Sequence, residues 1–245
     1  MAIVTGASSG LGRSTALRLA ADGLQVALLA RDAGDLSRLE QEITRAGGVA
    51  LAHPVDLAGT EAVTEAVAAV ADTWGRVDVL VNAAATDIPG TVVETSPEDW
   101  DRVLAVNLRA PFLLSREVFP HLRRAGGGTI INVSSVAGLR GWARAAAYCS
   151  SKFALTGFTQ ALAAEGAPHG IRACVLYPGA MATSWGVWDA ESRRAPTPSE
   201  ASAPPEDEAL PVDQVAALIA WIVAAPAGLV LDQVTVTPLH EKGWP

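Results

Sequence analysis

Cysteine, histidine, basic residues and long apolar runs are all scarce in this chain, and each shortage removes a class of function. Two cysteines, Cys149 and Cys174, cannot build a disulfide framework, which points to a reduced, cytoplasmic setting. The four histidines, His53, His121, His169 and His240, are scattered without ligand spacing, so no metal site is expected. No apolar run approaches the roughly 20 residues that span a bilayer, and no charged-then-apolar leader precedes the first strand, so no membrane association is expected. Lys and Arg number 18 against 26 acidic residues; a net charge of −8 argues against nucleic acid as a partner. What the chain does have is apolar bulk. With 50% hydrophobic residues over 245 positions it can bury one large core, and a single α/β domain of this size is usual.

Short apolar runs alternate with amphipathic ones. The pattern predicts strands over 2–5, 25–30, 49–53, 77–81, 129–133, 171–176 and 233–236. Helices are predicted over 11–22, 33–46, 60–73, 97–124, 147–166 and 211–224. Ser96-Pro97-Glu98-Asp99 is a strong helix start, with a capping hydroxyl, proline at the first position and acids in the first turn. Repeated βα units imply a parallel sheet covered on both faces.

The first strand, Ala2-Ile3-Val4-Thr5, runs into Gly6-Ala7-Ser8-Ser9-Gly10-Leu11-Gly12 and then into a helical segment. Glycines let such a turn approach a pyrophosphate closely, and the helix N-terminus offers unpaired N–H groups with a partial positive charge. The spacing is Gly-x-x-x-Gly-x-Gly rather than Gly-x-Gly-x-x-Gly. An ordinary βα turn also carries glycines, but three of them with two serines favour a phosphate cradle.

Farther on, Tyr148 and Lys152 stand four residues apart in a helical segment and therefore share a face. A free tyrosine titrates near pH ~10, and a fixed positive charge beside it favours the phenolate, moving it toward a working range. Ser135 lies just beyond the apolar run Thr129-Ile130-Ile131-Asn132-Val133-Ser134, at a strand end of the kind where open α/β sheets place ligands. Its hydroxyl can polarise a carbonyl that Tyr148 protonates. Taken alone, the Tyr-x-x-x-Lys spacing is weak, arises often by chance, and reads more readily as a surface helix with a solvated lysine. Cys149, beside Tyr148, faces another way and reads as structural.

These elements together resemble the short-chain dehydrogenase/reductase family over residues 2 to about 183. The family's Thr-Gly-x-x-x-Gly-x-Gly is met by Thr5, Gly6, Gly10 and Gly12, and its Asn-Asn-Ala-Gly, imperfectly, by Asn82-Ala83-Ala84-Ala85. Its catalytic set falls on Asn107, Ser135, Tyr148 and Lys152, and its Pro-Gly-x-x-x-Thr on Pro178, Gly179 and Thr183. The resemblance implies a single-domain doubly wound parallel sheet, the Rossmann fold, of about seven strands in the order 3-2-1-4-5-6 with a seventh added. It implies an NAD(P)-dependent oxidoreductase that interconverts a ketone or aldehyde and an alcohol, with Tyr148 as general acid and base. Ser135 would hold the substrate oxygen, Lys152 would tune Tyr148 and bind the nicotinamide ribose, and Asn107 would anchor a proton-relaying water. Cofactor contacts are implied at Gly6, Ser8, Ser9, Gly10, Leu11, Gly12, Arg31, Asp56, Leu57, Asn82, Ala83, Ala84, Tyr148, Lys152, Pro178, Gly179, Met181 and Thr183. Asp56 is equally readable as a cap for the helix near 60.

The choice of coenzyme turns on the end of the second strand, Ala30-Arg31-Asp32. An acid there would bind the adenosine ribose and repel a 2′-phosphate; in the family's pattern it falls at Ala30, which has no carboxylate. Arg31 can grip that phosphate through its fork, with Ser8 as a further donor. Asp32 beside it, and Ser9 where NADP-preferring relatives often carry a basic residue, weigh the other way. NADP is favoured; NAD is the alternative.

Residues 184–210 form a long connection, and in this family that segment caps the substrate. Trp185 and Trp188, with Trp142 across the cleft, would face an apolar or aromatic substrate, or else pack the cap against the body. The helices holding Asn107 and Tyr148 usually pair between subunits in this family, implying a homo-oligomer, dimer or tetramer. Two other functions fit the same fold: a cofactor-sensing binding protein, and an epimerase- or dehydratase-type tailoring enzyme.

Overall fold

The computed structural model of the chain describes residues 1–181, 183 and 209–239. Seven strands, β1 (Ala2–Thr5), β2 (Gln25–Ala30), β3 (Val49–Pro54), β4 (Val79–Asn82), β5 (Gly128–Val133), β6 (Ile171–Pro178) and β7 (Gln233–Val236), pair in parallel in one sheet. Their order is β3-β2-β1-β4-β5-β6-β7. The central strands are buried on both faces, which is why they read as unbroken apolar runs rather than alternating ones.

Helices α1 (Gly10–Ala21), α2 (Ala33–Arg45), α3 (Thr60–Trp74), α4 (Pro97–Leu104), α5 (Ala110–Arg124), α6 (Ala146–Gly166) and α7 (Val212–Ala224) cover the sheet. Leu19 of α1, Leu36 and Leu39 of α2 and Ile219 of α7 pack on the face carrying Val4, Leu28 and Val81. Val67 of α3, Leu113 and Leu114 of α5 and Leu162 of α6 pack on the face carrying Ile3, Leu29 and Leu80. Adjacent strand residues such as Ile3 and Val4 thus feed opposite cores, as the two-residue strand period requires. β1 pairs with β2 on one side and β4 on the other, so the strand order reverses there. The crevice at such a reversal is where an open sheet of this kind takes its ligand.

Two expected elements differ. β4 starts at Val79 rather than 77, because Asp78 is engaged with the chain's start: its carboxylate pairs with the Met1 amine at 2.6 Å, and its N–H donates to the Met1 carbonyl. That shift brings Asn82 into the strand's end, opposite Thr5 and Asn132. The helix expected over 97–124 is broken by a π-helical segment, Ala105–Arg109, after which Ala110 donates to the carbonyl five residues back. Pro111 accounts for the break: it has no N–H, and its ring collides with the carbonyl four residues earlier, that of Asn107.

Past the sheet's C-terminal edge, the loops after β4 and β5 are joined. Gly90 bridges Ala145 and donates to the Arg144 carbonyl at 3.0 Å, and the Arg144 guanidinium reaches Glu94 at 3.4 Å. Arg144, with φ of 63°, is the one non-glycine among the described residues in the left-handed region. Among the described residues no helix is long and apolar enough to cross a membrane.

Candidate active site

The floor of the crevice is set by contacts too close for side chains. Gly6 has φ of +68°, and a Cβ there would lie 2.9 Å from the Ala84 backbone; at Gly12 one would lie 2.2 Å from the Gly6 carbonyl oxygen. Thr5 ties the same two loops together, its hydroxyl accepting from Ala83 and Ala84 N–H at 3.1 and 3.0 Å. Ala85, which stands where the family has glycine, has no positive φ and is unstrained as alanine.

α1 rises directly from this loop, and its N-terminus is open. Asp32 caps α2 by accepting from Asp35 N–H at 2.7 Å, and Ser96 caps α4 by accepting from Asp99 N–H at 3.1 Å. Ser9 occupies the same position on α1 but makes no side-chain cap, and the first turn holds no acid. Those N–H groups and the helix dipole suit a phosphate. At Gly10 a Cβ would meet only the Thr183 side chain, at 3.4 Å, so the loop after β6 lies across from the glycine loop. These residues fit the pyrophosphate of a dinucleotide.

On the other wall, α6 carries Tyr148 and Lys152. Lys152 is fully buried; its Nζ donates to the Val133 carbonyl at 2.9 Å and lies 5.6 Å from the centre of the Tyr148 ring. Burial pulls its ammonium down to about 7. The end of β5 grips the lysine's backbone as well, since Ser134 Oγ donates to the Lys152 carbonyl at 3.2 Å. Gly138 permits this: a Cβ there would fall 2.5 Å from Ser134 Oγ and 2.9 Å from the Lys152 carbonyl oxygen. Ser135 opens a short 3₁₀ turn, its Oγ accepting from Ala137 N–H at 3.1 Å. Ala137 packs against Tyr148, Cys149 and Trp142. The structure therefore brackets Ser135 between the lysine's partner, Val133, and the tyrosine's neighbour, Ala137. Cys149 belongs to that packing, and burial raises its thiol pKa.

Asn107, in the π segment, is buried and its side chain makes three hydrogen bonds. Its amide donates to the Thr86 carbonyl at 2.8 Å and to Ser151 Oγ at 3.1 Å, and its oxygen accepts from Thr86 N–H at 2.7 Å. Its main-chain carbonyl receives no N–H from position 111, which is proline.

Sequence reasoning missed a polar ladder beneath these groups. Asn82 Nδ2 donates to Asn132 Oδ1 at 2.8 Å, and Asn132 Nδ2 donates to Thr159 Oγ1 of α6 at 2.8 Å, all buried. The signal was a lone asparagine in each of two apolar strands, which burial obliges to find a partner. The Asn82 side chain is thus a strut of the sheet.

At the far end of the crevice, Asp56 is not the cap of α3, whose N-cap is Gly59 with no side-chain cap bond. Asp56 accepts from Ala58 N–H at 3.0 Å, in the turn before α3, and from both ends of the Arg102 fork. The side chains of Leu11 and Leu57 lie in the two cores, so only their main chains face a ligand. Arg31 is exposed and near enough to Asp56 to favour its ionised form, whereas Asp32 is occupied as a helix cap. Pro178 ends β6, Gly179 donates to Val236 at 2.7 Å, and Met181 bridges Leu210. Ser8 is half-buried in the glycine loop. Trp142 packs beside Tyr148; Trp185 and Trp188, with most of the expected cap, lie outside the described residues.

Comparison with known proteins agrees with this geometry. The family profile described as short chain dehydrogenase matches residues 1–192. The chain is 43% identical over 183 residues to the short-chain reductase protein NovJ of Streptomyces niveus, covering 75% of this chain and 70% of that one. Its fold is similar to the crystal structure of a metagenomic short-chain oxidoreductase in complex with NADP, with TM-score 0.82, 34% identity, and 97% and 96% of the two chains covered. It is also similar to an alcohol dehydrogenase from the archaeon Thermococcus sibiricus complexed with 5-hydroxy-NADP, with TM-score 0.87, 26% identity, and 100% and 98% covered.

Proposed function

Because the chain belongs to the short-chain dehydrogenase family of oxidoreductases, we propose that it interconverts a small-molecule ketone or aldehyde and the corresponding alcohol, using NADP in preference to NAD. The observation that carries this reading is the convergence of Lys152, Tyr148 and the Ser135 turn opposite an uncapped helix N-terminus.

Gly6, Ser8, Ser9, Gly10, Leu11 and Gly12 would hold the pyrophosphate, and Asp56 and Leu57 the adenine. Ala83, Ala84, Pro178, Gly179, Met181 and Thr183 would flank the nicotinamide half. The bound dinucleotide supplies or accepts the hydride. Tyr148 gives its phenolic proton to the carbonyl oxygen in reduction and removes the hydroxyl proton in oxidation, a contribution typically worth about 10²–10⁴ in rate. Ser135 holds the same oxygen. Lys152, when protonated, favours the phenolate and binds the nicotinamide ribose; Val133 fixes its direction. The Asn107 carbonyl would anchor a water that returns protons to Lys152.

Arg31 supports the preference for NADP. It makes no ion pair among the described residues, and Asp32, the acid that would oppose a phosphate, is turned into the α2 cap. NADP is also the ligand named for the metagenomic relative. Phe112 and Phe153, each nearly half exposed on α5 and α6, favour a homo-oligomer formed through that face.

The test is the absorbance of NADPH and NADH followed against a panel of ketones and alcohols. Net coenzyme turnover, faster with NADPH, is expected. Binding without turnover would point to a sensor, and product without coenzyme consumption to an epimerase or dehydratase; either would sink the reading.

A further inference from the structure

α4 and the π segment carry two arginines, and both reach the same short stretch of chain. Arg102 Nη1 donates to Asp56 Oδ2 at 3.0 Å and Nη2 to Asp56 Oδ1 at 3.2 Å. Arg109 Nη2 donates to the Ala58 carbonyl at 2.6 Å. Arg102 lies in α4 and Arg109 at the end of the π segment, and the change of helical pitch between them still lets both reach this loop. Asn107 leaves that same helix in another direction, toward Thr86 and Ser151.

A carboxylate offers about four lone-pair positions. At Asp56, Arg102 takes two and Ala58 N–H a third, which leaves one for a ligand and fixes where it points. The pair is wet. Side-chain exposures are 33% for Arg102 and 51% for Asp56, and a cleft of about 660 Å³ lined by Arg102, Arg109, Leu108 and Phe112 opens beside it. Exposed ion pairs add little stability, so what this fork supplies is direction. Partial burial works against ionisation of Asp56, but the Arg102 fork and the Ala58 N–H outweigh it and hold the carboxyl below its usual range.

We propose that Arg102 and Arg109 are positioning residues for the adenosine half of the dinucleotide, fixing the Asp56–Ala58 loop to the helix that also carries Asn107. This rests on the reading of the crevice as a dinucleotide site. Neither arginine touches the reacting atoms; each acts through the loop.

The test is calorimetric titration of wild type, Arg102→Leu, Arg102→Lys and Arg109→Leu with 5′-AMP and 2′,5′-ADP as adenosine probes and NMNH as the nicotinamide probe. Arg102→Leu should weaken both adenosine probes about tenfold, because the Asp56 carboxylate loses its fixed direction, while NMNH binds as before. In steady state the defect should fall on KM for the dinucleotide far more than on kcat. Arg102→Lys, which restores charge but not the fork, should recover only part of the loss. Arg109→Leu should act in the same direction, more weakly. Equal binding of all probes by Arg102→Leu, equal loss of both halves, or full rescue by lysine would overturn the proposal. A wild type that binds no dinucleotide would instead overturn the reading on which it stands.

Discussion

Lys152 Nζ lies 2.9 Å from the Val133 carbonyl oxygen, in a pocket that leaves the amine fully buried. Burial brings its pKa from 10.5 to about 7. The unfolded chain therefore holds a proton that the fold releases between those values, and stability of the cofactor-free protein rises as pH climbs from about 7 toward about 10.5. Below about 7 the full cost of the buried charge is present. Lys152→Met removes that cost. It should stabilise the cofactor-free protein near pH 6 by about 1–4 kcal/mol, an advantage that fades above pH ~10. Urea melts of both proteins across this range check it, and a pH-independent difference would contradict the assignment.

Tyr148→Phe keeps the ring that packs on Ala137 and Trp142 but removes the phenolic proton. Turnover should fall by about 10²–10⁴-fold while dinucleotide affinity is largely retained. Coenzyme titration beside steady-state rates separates the two effects. Near-normal rates would remove Tyr148 from the mechanism.

Gly138→Ala places a methyl group against Ser134 Oγ and the Lys152 carbonyl. The collision is partly with backbone, so the end of β5 and α6 must separate. A loss of about 1–3 kcal/mol is expected, with activity reduced in the protein that remains folded. Denaturant melts and turnover measured on the same sample decide it; wild-type behaviour in both would show that the two elements are not held this closely.

Arg31→Ala should raise KM for NADPH about tenfold or more and leave KM for NADH little changed. Asp32→Ala should do the reverse kind of damage. Losing the α2 cap costs about 0.5–2 kcal/mol of stability without altering coenzyme choice. If the two variants exchange these effects, the coenzyme assignment fails.

Much of this was legible in the sequence because it is local. Thr5 to Gly12 is one strand, turn and helix, and Tyr148 with Lys152 is one helical turn, so their spacing alone fixes their geometry. Ser96 and Pro97 marked the start of α4 for the same reason. What escaped depends on which strands become neighbours. Asn82, Asn132 and Thr159 meet only because β4 lies beside β5 and α6 covers both. The pairing of Asp56 with Arg102 spans two βα units and left no periodic trace. Asp32 was ambiguous until its role as a cap separated it from Arg31. The break at Asn107 was readable from Pro111, but the apolar pattern continued through it and suggested one helix.

The three bonds made by the Asn107 side chain and the missing N–H of Pro111 make positions 107 and 111 work together. The asparagine rivets the loop after β4 to α6, and the proline denies the asparagine's own carbonyl its helical donor. Replacing Asn107 would release the loop after β4 from α6, so a loss of activity there would report the scaffold as well as any proposed catalytic role. Pro111→Ala would restore the missing helical donor and so favour a regular α-helical turn in place of the π segment that holds Asn107.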